Sequence, residues 1–219
     1  MIKNKEQIVV EFYRVCNKLK TLIRTGWKDW HVSSERLESV AEHVYSTQML
    51  ALAMYSQYEY DFDITKLALM LAIHEIGETV IGDITLYDEI SKEEKAIIER
   101  KAVLEILKDL NIKDMILSLF DEFEEKKTPI AKFAYQCDKL ECDLQSKVYD
   151  EQGVVDIYNQ DDKYYYTNER VQRLLKKEKT FSNMWLASGQ ELYPYDENFM
   201  KVSTFVKENG ITKNGKNKI

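Results

Sequence analysis

Two prolines and seven glycines are all that punctuate a chain of 219 residues. Both residue types break helices and make turns, so their scarcity favours long helices over many short strands. The apolar pattern agrees. Ile8, Val9, Phe12, Val15, Leu19 and Leu22 fall on one helical face, with Gly26 as a C-terminal stop and "KDWHVSSERLE" as a loop. "SVAE", Ser39 to Glu42, is a capping box that opens a helix to about Tyr58. "DFDITKLALMLAIHEIGETVI" reads as one apolar helix closed by Gly82, which stacks His74 and Glu78 one turn apart. A second box, "SKEE" at 91 to 94, starts a helix to about Leu110, and "DMILSLFDEFEE" carries a shorter one. From about Thr128 the next helix places Phe133, Cys137, Leu140, Leu144 and Val148 on one face. Residues 159 to 189 suggest one further long helix and 195 to 209 a last one. No internal repeat or composition break divides the chain. The expectation is an all-α protein with one domain over residues 1–207 and a polar, flexible, lysine-rich tail over 208–219.

A net charge of −7 argues against binding nucleic-acid polymers, which takes clustered positive charge. A small anionic substrate stays open, since one arginine or a metal ion supplies local positive charge. No stretch approaches the roughly 18 uninterrupted apolar residues of a membrane span, and no apolar leader opens the chain. Cys16, Cys137 and Cys142 are odd in number and form no CxxC pair, so they read as free thiols of a cytoplasmic protein.

Several polar groups sit on the apolar helices. His74, Glu75 and Glu78 interrupt the most apolar of them, His43 lies near the start of another, and Asp138 falls beside the buried stripe of a third. An unpaired buried carboxylate is costly, so such groups are paired, hydrogen-bonded or bound to metal. Two imidazoles and two carboxylates make a nitrogen-and-oxygen set for a divalent transition metal. Histidine and glutamate at helical spacing are also common on solvated faces, and Asp138 can equally pair with Lys139.

The ordered combination is more specific. "ESVAEHVYSTQMLALAM", followed 31 residues after its histidine by "HEIGETVIGDI" and later by "FAYQCDKLECDLQSKVYD", resembles the HD-domain metal-dependent phosphohydrolases. It is most similar to their branch of small 5′-deoxynucleotidases, as is "SKEEKAIIERKA", and the likeness runs over roughly residues 15 to 150. The resemblance implies a single HD-type helical bundle with additional C-terminal helices. It implies that His43, His74, Glu75 and Asp138 hold one divalent ion of the Mn, Co, Zn, Fe, Ni or Mg kind. Glu78 falls at the family's catalytic glutamate, Asp83 at an aspartate facing the sugar, Arg24 at a phosphate ligand and Trp27 at a position packing near the sugar. Here the second motif is HE where the family has HD, so Glu75 is one methylene longer. Dinuclear members use further histidines, and none follows His74, which favours one ion. His31, in the loop, reads as a surface or structural residue.

The function so implied is hydrolysis of nucleoside 5′-monophosphates by a homodimeric cytoplasmic enzyme. Arg24 as a helix C-terminal cation and Trp27 as a core lid are the plain structural alternatives for those two residues. Two other functions fit the same scaffold: hydrolysis of nucleoside triphosphates or other small phosphoesters, and a non-catalytic metal-binding regulatory protein.

Overall fold

A computed structural model describes residues 3–85, 90–160 and 164–211. The described residues form an all-α protein with no strand, and an isolated antiparallel bridge pairs Ile23 with Ser39. The expected lysine-rich tail lies, from residue 212 on, outside the described residues. The helices are α1 (Lys5–Cys16), α2 (Thr25–Asp29), α3 (Val40–Gln57), α4 (Ile64–Ile73), α5 (Glu78–Ile81) and α6 (Lys92–Leu107). They continue with α7 (Lys113–Glu125), α8 (Pro129–Gln152), α9 (Tyr164–Thr167), α10 (Glu169–Glu178), α11 (Phe181–Leu192) and α12 (Glu197–Asn209). Among the described residues no helix is long and apolar enough to cross a membrane.

The chain divides into two compact units, the first made of Met1–Thr25 and Glu38–Tyr135. Within it α3 packs on α4, α4 on α7, and α6 on both α5 and α7. Leu67, Met70, Leu71, Val103 and Phe120 are buried at its centre. Tyr60 and Phe62 set their rings against Phe133, at 4.5 and 5.1 Å between centroids. The second unit comprises Gly26–Leu37 and Gln136–Ile219. Its aromatic centre joins Trp27, Trp30, Phe181 and Trp185. The α8 carboxylate of Asp143 accepts a hydrogen bond from the Tyr195 hydroxyl at 2.9 Å, and Gly189 leaves the room that this carboxylate fills.

Both capping boxes form: Ser39 and Ser91 each accept from the backbone N–H three residues on, and Glu42 and Glu94 reach back. Other expectations need correction. The first apolar face is not one helix ending at Gly26. It splits at Cys16 into a 3₁₀ turn, Asn17–Lys20, and Gly26 lies inside α2. Beyond that turn, Arg24 N–H donates to the Glu38 carbonyl and Val40 N–H to the Leu22 carbonyl. This short ladder pins Arg24 beside the start of α3.

The expected helix through residue 81 is interrupted after Ile73. Ile76, and then Glu78, Thr79 and Val80 at the start of α5, donate to carbonyls three residues back, the tightened 3₁₀ pattern. Gly77 accounts for part of this: a Cβ there would lie 2.6 Å from Glu99 Cγ, so the turn seats its backbone against α6. Gly82 then ends α5 at φ +81°, a conformation suited to glycine. The long helix expected over 159–189 is three. Asn168 and Thr180 cap α10 and α11, while Lys179, left-handed at φ 63°, stops α10.

Candidate metal and phosphoester site

The ladder, the α3 cap and the tightened turn bring the polar groups of the first unit to one place. His43, one turn into α3, and His74, at the C-terminus of α4, are both fully buried, with ring centroids 5.6 Å apart. The Nε2 atoms of His43 and His74 lie 3.8 and 3.7 Å from the same oxygen, Oε1 of Glu75. Arg24 Nη1 approaches that oxygen to 3.6 Å. The extra methylene of Glu75 therefore still delivers a carboxylate oxygen to both imidazoles. His74 Nδ1 sits 2.7 Å from the Leu71 carbonyl. A carbonyl only accepts, so Nδ1 carries the proton and the Nε2 lone pair faces Glu75, the arrangement usual for metal-ligating histidines.

Glu78 lies at the start of α5 and is 2% exposed. Its Oε2 has no hydrogen-bond partner among the described residues. Burial, then the nearby carboxylates of Glu75 and Asp83, push its pKa up to about 11, against the pull of Arg24 and Lys95. Asp83, just past Gly82, accepts from Arg24 Nη1 at 3.2 Å and from the Thr25 N–H at 2.5 Å, and the Thr25 hydroxyl donates to its carbonyl. Asp83 thereby orients Arg24.

Trp27 and Asp138 belong to the second unit. Trp27 is 2% exposed, its ring 5.0 Å from Trp185 and 5.2 Å from Tyr149. Asp138 is buried on α8, with Lys139 Nζ 2.8 Å from its Oδ2. His31, at positive φ, is exposed.

Sequence reasoning missed Glu99 and Lys95. Glu99 is buried on α6, and burial and then Glu75 raise its pKa to about 7, opposed by Lys95. Its position three and four residues before the buried Ala102 and Val103 was the available signal. An unfolded glutamate ionises near 4.5. Between there and about 7 the folded chain holds the extra proton, so the metal-free protein loses stability as pH rises through that window. Glu99→Gln is expected to reduce this dependence, read by thermal unfolding of chelator-treated protein across and above the window.

The family model of the HD domain matches residues 16–179, three-quarters of the sequence. This chain belongs to the HD-domain family. Among HD-domain proteins it is 36% identical over 150 residues to the 5′-deoxynucleotidase HDDC2 of Dictyostelium discoideum, covering 65% of this chain and 78% of that one. It is 32% identical over 145 residues to 5′-deoxynucleotidase HDDC2 of Homo sapiens, covering 65% and 69%. The fold is similar to the crystal structure of the PH0347 protein of Pyrococcus horikoshii, with a TM-score of 0.65 at 20% identity over 91% of this chain and 98% of that one. It is also similar to that of a predicted metal-dependent phosphohydrolase of Magnetospirillum magnetotacticum, at 0.60 and 24% over 91% and 93%.

HD-domain phosphohydrolases imply a divalent metal, and the residues of the first unit fit one. Two buried imidazoles and a carboxylate oxygen offer ligand atoms within 4.8 Å of one another. Beside them stands a buried glutamate oxygen without a partner among the described residues, the environment a cation relieves.

Proposed function

We propose that this protein is a metal-dependent phosphohydrolase that cleaves (deoxy)nucleoside 5′-monophosphates to nucleoside and inorganic phosphate. The supporting observation is the convergence of His43, His74 and Glu75 beside the buried carboxyl of Glu78. It occurs in a chain 36% identical to a 5′-deoxynucleotidase. In this reading residues 1–207 work as one HD-type domain, and His43, His74, Glu75 and Asp138 hold a single divalent transition-metal ion. The burial of the Asp138 carboxylate supports its place as the fourth ligand, while its pairing with Lys139 is the competing use of the same group. When bound, the ion supplies Lewis-acid polarisation of the phosphoryl group and activation of the attacking water.

The remaining work belongs to the chain. Arg24 presents planar N–H donors suited to phosphate oxygens, and Asp83 holds that guanidinium from behind. Glu78, a buried carboxyl beside the reacting groups, gives a proton to the 5′-oxygen as the P–O bond breaks. Water adds to phosphorus, its proton passes to the vacated carboxylate, and the nucleoside leaves as the alcohol. A carboxylate oxygen of Asp83 accepts from a sugar hydroxyl, and the resemblance gives Trp27 packing near the sugar, although its burial against Trp185 and Tyr149 fits the core-lid alternative. The resemblance to the 5′-deoxynucleotidase branch extends the reading to a homodimer working in the cytoplasm.

Chelator-stripped protein, given back Mn²⁺, Co²⁺, Mg²⁺ or Zn²⁺ singly, is expected to regain phosphate release from 5′-monophosphates. A panel of mono-, di- and triphosphates is the control. Turnover of triphosphates alone would transfer the reading to the triphosphohydrolase alternative. No metal-dependent turnover of any of them would leave the regulatory one.

A further inference from the structure

The segment from His74 to Asp83 carries most of the proposed machinery of the first unit, and α6 touches it at both ends. The near end is seated where Gly77 meets Glu99: a Cβ at 77 would run into the Glu99 stem, with Val103 Cγ2 in contact at 3.4 Å. The far end, Gly82 to Thr85, lies outside any helix. One side of it is fastened to Arg24 and Thr25 through Asp83. On its other side Lys95 Nζ, from α6, donates to the Ile84 carbonyl at 2.8 Å. Lys95 is half-buried and stands one turn before Glu99, on the same face of α6. Its positive charge also acts on the carboxyl groups of Glu78 and Glu99.

We propose that Lys95 is a positioning residue for the reaction: by holding the Ile84 carbonyl it fixes Asp83, and through Asp83 it sets the guanidinium of Arg24 for the substrate phosphate. This rests on the function proposed above. The bond is charge-assisted and partly shielded, so its loss is felt at the next residue rather than absorbed by water. Lys95 touches no proposed metal ligand directly in this role, so its effect falls mainly on substrate binding and leaves metal loading unchanged.

The test is Lys95→Met, with Lys95→Arg as the conservative variant, each compared with the parent protein. For a deoxynucleoside 5′-monophosphate, KM is expected to rise about tenfold, the scale of one charge-assisted hydrogen bond, with a smaller change in kcat because the Lys95 charge also acts on Glu78. Metal content after equilibrium dialysis stays at the parent level, and arginine recovers most of the KM. A second readout does not depend on turnover: amide exchange at Thr25, whose N–H donates to Asp83, measured against Val40, whose N–H donates to Leu22. The methionine variant exchanges faster at Thr25 and not at Val40. Unchanged exchange at Thr25, or a KM within twofold of the parent, overturns the role of Lys95. Metal loading that falls together with activity overturns it as well. An inactive parent whose Thr25 amide is still loosened by the substitution overturns the reading of function alone.

Discussion

Glu78→Gln is expected to lower kcat by roughly 10²–10⁴-fold while metal loading and fold persist. The expectation follows from where the carboxyl sits. It is 2% exposed, one oxygen has no partner among the described residues, and in the metal-free chain burial, then Glu75 and Asp83, push its pKa upward. A carboxyl so placed can exchange a proton with a leaving alkoxide, and glutamine keeps its size and polarity while offering no proton of comparable acidity. The loss corresponds to about 3–5 kcal/mol of transition-state stabilisation. Relief of the buried carboxyl should leave the variant at least as stable as the parent, so low activity cannot be put down to unfolding. Steady-state kinetics, metal analysis and thermal unfolding of one preparation decide it. A variant within fivefold of the parent kcat would remove Glu78 from the proton transfer.

His74→Asn is expected to abolish metal retention and with it turnover. The imidazole does two jobs: Nδ1–H donates to the Leu71 carbonyl, and Nε2 faces Glu75 Oε1. Asparagine can still donate to the Leu71 carbonyl in the last turn of α4 but places nothing at Nε2. Replacing partners that merely orient a ligand costs about 10–100-fold in metal affinity, so removing a ligand atom should cost more. The variant should come off a dialysis column without metal, with helix content by circular dichroism intact. Full loading would show that His74 is a buried structural histidine beside Phe123, whose ring lies 5.2 Å away.

What the amino-acid pattern conveyed and what it withheld have separate physical causes. Helix starts were legible because a capping box is local: Ser39 with Glu42 and Ser91 with Glu94 satisfy their own backbone groups. The break at His74 was not. Apolar periodicity says which face is buried, and Leu67 and Leu71 satisfy it whether or not the next turn tightens. The tightening answers to Gly77 against Glu99, a contact between residues 22 apart. Gly26 shows the converse, since nothing local distinguishes a glycine that ends a helix from one inside a short one. His43, His74 and Glu75 were legible as polar groups on apolar faces. Asp83 as the partner of Arg24 needed the ladder at Leu22–Arg24 and Glu38–Val40, which pattern alone cannot pair.

That ladder has an evolutionary corollary. Because residues 22–24 are bonded directly to 38–40, the separation between Arg24 and the first turn of α3 does not depend on how many residues the excursion between them contains. Trp27, Trp30 and Val32 are buried and constrain most of that excursion, but Glu35 and Arg36 are exposed. Lengthening a flexible surface loop is inexpensive, about 0.6 kcal/mol for each doubling. The exposed tip around Glu35 is therefore where relatives can differ in length, and where a tag or fluorophore can be inserted, without moving the phosphate-facing arginine from the first histidine.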